Sequence, residues 1–204
     1  MTLPKTTFWF TVLLGLPIAL VSFRFLFLGL DVAFTGMGEH IVERRVFFLA
    51  HIIMSPIALA AGVFQFAPKL RARFPAFHRW TGRAYALAIV IGGISGLVLA
   101  FGAVGGPIAG WGFGLLSLLW LVTTAQAIRF AIQRRIPDHR RWMIRSFSLT
   151  LAAVTLRLYL PLFLLNGFEY GESTLFVAWL CWVPNILIAE WYLRRKSMSK
   201  AVSA

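Results

Sequence analysis

The stretch Val46-Phe-Phe-Leu-Ala-His-Ile-Ile-Met-Ser-Pro-Ile-Ala-Leu-Ala-Ala-Gly-Val-Phe-Gln-Phe-Ala67 decides the fold, together with the Pro68–Arg83 segment that follows it. The first carries no Asp, Glu, Lys or Arg; the second holds Lys69, Arg71, Arg73, Arg79 and Arg83. As a helix rising 1.5 Å per residue, the apolar stretch is long enough to cross about 30 Å of hydrocarbon. Five further runs approach or match it: Phe8–Leu30, Ala84–Val104, Trp111–Ala131, Phe147–Leu165 and Leu175–Leu193. Lipid offers the backbone no hydrogen-bond partner, so each run is expected to be a helix. The runs are continuous rather than alternating, which argues against a barrel. The expected fold class is all-α: a six-transmembrane-helix bundle, with residues 1–204 forming a single polytopic membrane domain.

Composition agrees. Of 204 residues, 59% are apolar and 13% charged, about half the charged share of an ordinary soluble domain. The net charge of +13 would suggest nucleic acid in a soluble protein. Here the basic residues lie between apolar runs, and no basic stretch is long enough for a nucleic-acid-binding domain. Cys181 is the only cysteine, which excludes an intrachain disulfide and a CxxC pair and leaves it as a small packing residue. The first run follows Lys5 as a signal peptide would. It is too long for one, contains Arg24, and no A-x-A site follows; it reads as a true span.

The connections predict orientation. Besides the Pro68–Arg83 loop, Arg129, Arg134, Arg135, Arg140, Arg141 and Arg145 flank the next connection on that side, and Arg194, Arg195, Lys196 and Lys200 follow the last run. On the other side, Asp31–Arg45 sets Arg44 and Arg45 against Asp31, Glu39 and Glu43, the Gly102–Gly110 turn is uncharged, and Asn166–Thr174 carries Glu169 and Glu172. By the positive-inside rule both termini are cytoplasmic, and the expected location is a bacterial inner membrane.

There is also an internal match. Pro75-Ala-Phe-His-Arg-Trp-Thr-Gly-Arg-Ala-Tyr-Ala-Leu87 aligns without gaps on Pro137-Asp-His-Arg-Arg-Trp-Met-Ile-Arg-Ser-Phe-Ser-Leu149. Proline, Arg79/Arg141, Trp80/Trp142, Arg83/Arg145 and the last leucine coincide, and Tyr85 meets Phe147. The match predicts that helices two and three, and helices four and five, are parallel copies of one hairpin. The alternative is that any helix starting at an interface favours Pro, Trp and Arg.

His78-Arg-Trp-Thr-Gly-Arg-Ala-Tyr85, His139-Arg-Arg-Trp-Met-Ile-Arg145, Arg157-Leu-Tyr-Leu-Pro161 and Trp182-Val-Pro-Asn185 with Glu190 together resemble a bacterial family of predicted membrane proteins, domain of unknown function 2306. The resemblance runs from about His51 to Trp191. It implies a multi-pass membrane protein and no particular activity.

Ionisable groups at membrane depth face a bundle interior or a water-filled cavity. Arg24, His51, Ser55, Gln65 and Arg157 are expected to form a buried polar cluster, with its basic members in the outer half. His51, Ser55, Ala58, Gly62 and Gln65 share one face of helix two, and Ser146, Thr150, Ala153 and Arg157 share one face of helix five. These small and polar stripes predict two helices facing each other or a common cavity, although ordinary helix packing uses the same residues. At least one outer carboxylate is expected to fold toward Arg157 or Arg24. Glu190 is expected to pair with Arg194 one turn on, and His40 carries little information.

The cytoplasmic face offers His78, Arg79, Arg83, His139, Arg141 and Arg145 from the repeated segment. One reading is an interfacial belt that binds anionic lipid head groups. The other makes His78 and His139 axial ligands of a b-type haem, with metal binding otherwise unassigned. Depth separates His51 from either inner histidine by roughly 24 Å, so they cannot share one haem. Gly92 and Gly96 form a G-x-x-x-G face for another helix, this chain's own or that of a partner or second copy. Three function classes follow. A non-catalytic membrane component leads, because the sequence has no nucleophile motif, metal-ligand spacing or phosphate loop. A small transporter of an anionic or proton-coupled solute is second, suggested by Pro17, Pro56, Pro161, Pro184 and the repeat, and a haem redox protein is third.

Overall fold

In the computed structural model, residues 5–202 are described. The side chains of Lys5 and Lys200, read above as basic flanks, lie outside the described residues. Among the described residues there is no strand. Six helices are long and apolar enough to span a membrane: α1 (Phe8–Leu28), α2 (Arg45–Gln65), α3 (Pro75–Ala100), α4 (Gly106–Ile132), α5 (Ile136–Leu165) and α6 (Tyr170–Lys196). Short helices Leu30–Ala33 and Gly38–Glu43 fill the α1–α2 connection, and Pro68–Arg73 leads into α3.

The spans match the expectation in number and type, but the basic connections are more helical than expected. Helices α3 and α5 begin well before Ala84 and Phe147. Pro75 and Pro137 lie in their first turns, where the missing N–H costs nothing and the fixed φ favours a helix start. The two matched segments are therefore the first turns of α3 and α5. Their Arg83 and Arg145 lie over Trp80 and Trp142 in the same way, 4.8 and 4.7 Å from the ring centres. Large side chains such as Phe27, Phe101 and Leu165 point outward, as lipid permits.

The core is a close assembly in which α2 packs against α1, α3 and α5. Helices can approach closely where side chains are small. A Cβ on Gly92 would lie 3.3 Å from Ser55 Oγ, and one on Gly96 would lie 2.6 Å from Ser117 Oγ and 3.3 Å from His51. The G-x-x-x-G face is thus occupied by this chain's own α2 and α4. Gly62 on α2 lies against both Phe147 and Tyr85, the two matched aromatic positions, and both are buried.

Helix α5 changes path at Leu151 and α6 at Cys181 and Trp182, whereas the helices continue through Pro17, Pro56 and Pro161. In α6 the cause is Pro184, which cannot continue the preceding ladder. In α5 the hydroxyl of Thr150 reaches back to the carbonyl of Ser146, a pattern that bends helices. The two irregular points are bonded together: Thr155 Oγ donates to the Cys181 carbonyl, and Asn185 Nδ2 donates to that carbonyl at 2.9 Å and to Thr155 Oγ at 3.2 Å. Cys181 itself is fully buried packing.

Candidate functional site

Polar groups gather at three depths. The middle group is closed. Tyr85 OH lies 2.8 Å from Ser146 Oγ and 2.9 Å from Thr150 Oγ, Trp120 Nε1 donates to Thr150 Oγ at 2.9 Å, and Thr124 Oγ is 2.7 Å from Ser146 Oγ. Thr150 and Thr124 have carbonyl acceptors on Ser146 and Trp120 as well. Every donor hydrogen here has an acceptor, so the network ties α3, α4 and α5 together and offers a ligand nothing.

Toward the acidic connections, α1, α2 and α5 each carry one of the three expected basic residues. Arg24 donates through Nη2 to the Ala33 carbonyl and lies 5.0 Å from the Phe34 ring centre. Arg157 donates through Nη1 to Ala153 O of its own helix at 2.8 Å. His51 Nδ1 lies 2.8 Å from Gly92 O; a carbonyl only accepts, so that nitrogen carries the hydrogen, and Ser55 Oγ lies 3.4 Å from Nε2. Arg157 lies within electrostatic reach of Arg24, and His51 within that of Arg157. Gln65 does not belong to this group. It lies at the other end of α2, donating to Thr81 Oγ at 2.5 Å and to the His78 carbonyl at 3.1 Å.

No carboxylate folds toward Arg24 or Arg157 among the described residues. Glu39 and Glu43 pair with Arg44, Asp138 with Arg135, and Glu190 with Arg145. Glu169 and Glu172 close a capping box at the start of α6, which spends them on backbone N–H groups instead. Glu190 is engaged twice by Arg145 of α5, through Nε and, at 3.0 Å, through Nη2. The expected pairing with Arg194 on the same helix is replaced by this bond between helices.

At the basic end, a cavity of about 450 Å³ opens between the ends of α2 and α4 and the starts of α3 and α5. His78, His139, Arg71, Arg79 and Arg140 line it, with Gln65, Phe66, Ala131, Ile136, Met143 and Ile144. His139 donates from Nδ1 to Ala127 O at 2.8 Å, leaving Nε2 free of that bond. His78 Nδ1 is enclosed and has no partner. The structure thus brings together His78, Arg79 and His139 of the residues expected here. It places Arg83 on Trp80, and Arg145 on Trp142 and Glu190, away from the lining. Arg141 is also absent from the lining, and Arg71 and Arg140 take these places. Helical spacing separates the two sets: on α5, His139 with Met143 and Arg140 with Ile144 share one side, and Arg141 with Arg145 another.

Residues 48–193 match the family model described as "Predicted membrane protein (DUF2306)". The chain belongs to this family. The match takes in five of the six spans, the cavity at the basic end and both His51 and Arg157; Arg24 precedes it. No curated protein and no solved structure matches the chain.

Proposed function

We propose that this DUF2306 protein is a non-catalytic membrane component that holds an anionic, phosphate-bearing head group in the cavity at its basic end, with that end cytoplasmic. The observation that carries the reading is the lining itself. Three guanidinium groups and two imidazoles converge on one cavity whose remaining wall includes Phe66, Ile136, Met143 and Ile144. A charged wall selects an anion and an apolar wall selects acyl or prenyl carbon, so the fitting ligand has both. Basic pockets between helices at the cytoplasmic interface have this chemistry, and guanidinium forks match phosphate oxygens. The enclosed His78 Nδ1 supplies one more polar atom in need of a partner.

The companion claims are part of the same proposal. Alternating loop charges support cytoplasmic termini in an inner membrane. The shared proline starts, Arg-on-Trp stacking and convergence of Tyr85 and Phe147 on Gly62 support a parallel hairpin repeat.

The test is thermal unfolding of the delipidated, detergent-purified protein with anionic phosphatidic acid or zwitterionic phosphatidylcholine added. Saturable stabilisation by the anionic lipid is expected, weakened by about tenfold or more in Arg71→Gln/Arg140→Gln, since each lost charge-assisted bond is worth about 1.5–3 kcal/mol. Equal responses to both lipids would overturn the proposal. A stoichiometric haem absorption band lost in His78→Ala or His139→Ala would replace it with the redox reading.

A further inference from the structure

Ala19 of α1, Leu59 of α2 and Val154 of α5 form one buried apolar contact. From it, each helix runs toward the end that carries Asn166 and meets a basic residue: Arg24 five positions on, His51 eight positions back and Arg157 three positions on. At 1.5 Å per residue these Cα atoms lie roughly 5–12 Å beyond the contact. Two guanidinium groups are therefore carried to similar depth within the membrane on neighbouring helices, with the His51 imidazole further along the third. Arg157 uses one N–H on Ala153 and Arg24 one on Ala33. A guanidinium has five, and beyond the Phe34 ring that lies against Arg24 no other partner of either group is found among the described residues.

Like charges in a medium of low dielectric need an opposite charge, water or carbonyls nearby. Six of the protein's seven carboxylate side chains are committed elsewhere: Glu39 and Glu43 to Arg44, Asp138 to Arg135, Glu190 to Arg145, and Glu169 and Glu172 to the cap of α6. Asp31 forms no ion pair among the described residues, and Arg157 feels Arg24 and no acid. Free N–H pairs on planar guanidinium groups suit a ligand with several acceptor oxygens better than a halide.

We propose that Arg24 and Arg157 form a second anion site, separate from the basic-end cavity, for a phosphate-type oxyanion: inorganic phosphate or the phosphodiester of a lipid. His51 fixes the neighbouring helix: its Nδ1–H is held by Gly92 O, so its ring packs α2 onto α3.

The experiment follows tryptophan fluorescence during thermal unfolding of the delipidated full chain at constant ionic strength. One arm adds inorganic phosphate against chloride. The other adds phosphatidylglycerol in mixed micelles against an uncharged glycolipid. Saturable stabilisation is expected in at least one arm, and the arm identifies the source. Measured in the Arg71→Gln/Arg140→Gln background, which silences the basic-end cavity, half-saturation should rise by about tenfold or more on adding Arg24→Gln or Arg157→Gln. If Arg157→Gln does not fold, Arg24→Gln and Arg157→Lys decide. No stabilisation in either arm in that background, or stabilisation there that survives Arg24→Gln, would overturn the site. Failure of the basic-end cavity to bind lipid leaves this result unaffected.

Discussion

The His40 imidazole is 2% exposed in a connecting helix, and its Nδ1 has no partner. Burial first, and then the nearby Arg44 cation, hold it below its ordinary value of 6.5, against the pull of Glu39 and Glu43. The unfolded chain thus binds this proton more readily than the folded one. Stability from neutral His40 is complete above pH 6.5 and is lost as pH falls through the lower folded value. Between about pH 7.5 and about pH 5, the melting temperature of the wild type should fall more steeply than that of His40→Asn; parallel curves would dismiss the role. Arg134 gives a second prediction. It takes φ 58 where α4 ends, with Arg135 N–H on Phe130 O and Arg134 N–H on Ala131 O, the arrangement that usually places glycine at this position. A Cβ in this region costs on the order of 1 kcal/mol, so Arg134→Gly should raise the stability measured by thermal unfolding by about that amount. Neither residue was legible in the sequence, because the sign of one φ and the burial of a connecting histidine depend on what packs around them. Arg24, His51 and Arg157 were legible, since any charge inside an apolar run must be accounted for.

Helix faces were easier to read than helix partners. The spacing of Ala58 and Gly62 on α2 and of Ser146 and Thr150 on α5 placed each pair on one side, and the structure turns all four inward. What spacing could not show was that Tyr85 and Trp120 would supply the phenol and indole that close the α5 hydroxyls into a network. In an apolar run, either aromatic reads equally well as lipid-facing. Nor could it show that Gln65, on the same stripe as His51, would bind α3 at the opposite end; one stripe serves two depths. The small residues give a paired test. A Cβ at Gly62 would lie 2.6 Å from Phe147, whose ring is itself held 4.8 Å from the Phe66 ring centre. Gly62→Val should therefore cost about 1–3 kcal/mol by overpacking. A Cβ at Gly114 would meet only Ala100 Cβ at 3.6 Å within 4 Å, so Gly114→Ala should be neutral or stabilise by up to about 1 kcal/mol through helix propensity. Thermal unfolding of the two variants in one detergent measures both; equal losses would show that Gly62 is not the contact that fixes α2 against α5.

For the whole molecule, composition and run length were enough for an all-helical, six-span protein, because hydrocarbon removes almost every other backbone arrangement. The shape of its basic end was not recoverable, since a string of arginines reads as loop until the helix starts at Pro75 and Pro137 divide it. Arg71, Arg79 and Arg140 then face a cavity, while Arg83 and Arg145 lie on tryptophans. The proposed orientation rests on the same division. The end with residues 66–74 and 133–135 also receives the Arg194–Lys196 run, whereas the other end has Arg44 beside Glu39 and Glu43, an uncharged turn and a capped acidic helix start. Moving the first set across a membrane would carry many uncompensated cations through hydrocarbon, at about 2.5–3.5 kcal/mol for each charge at its centre. Moving the second carries few. Reporter fusions at Arg73 and Gln133 should accordingly behave as cytoplasmic, fluorescent with a green fluorescent protein and inactive with alkaline phosphatase. Fusions at Gly36, Gly105 and Gly167 should give the reverse. A uniformly inverted pattern would place the basic cavity outside and remove the cytoplasmic head-group proposal, while leaving the six helices and the Arg24–Arg157 site in place.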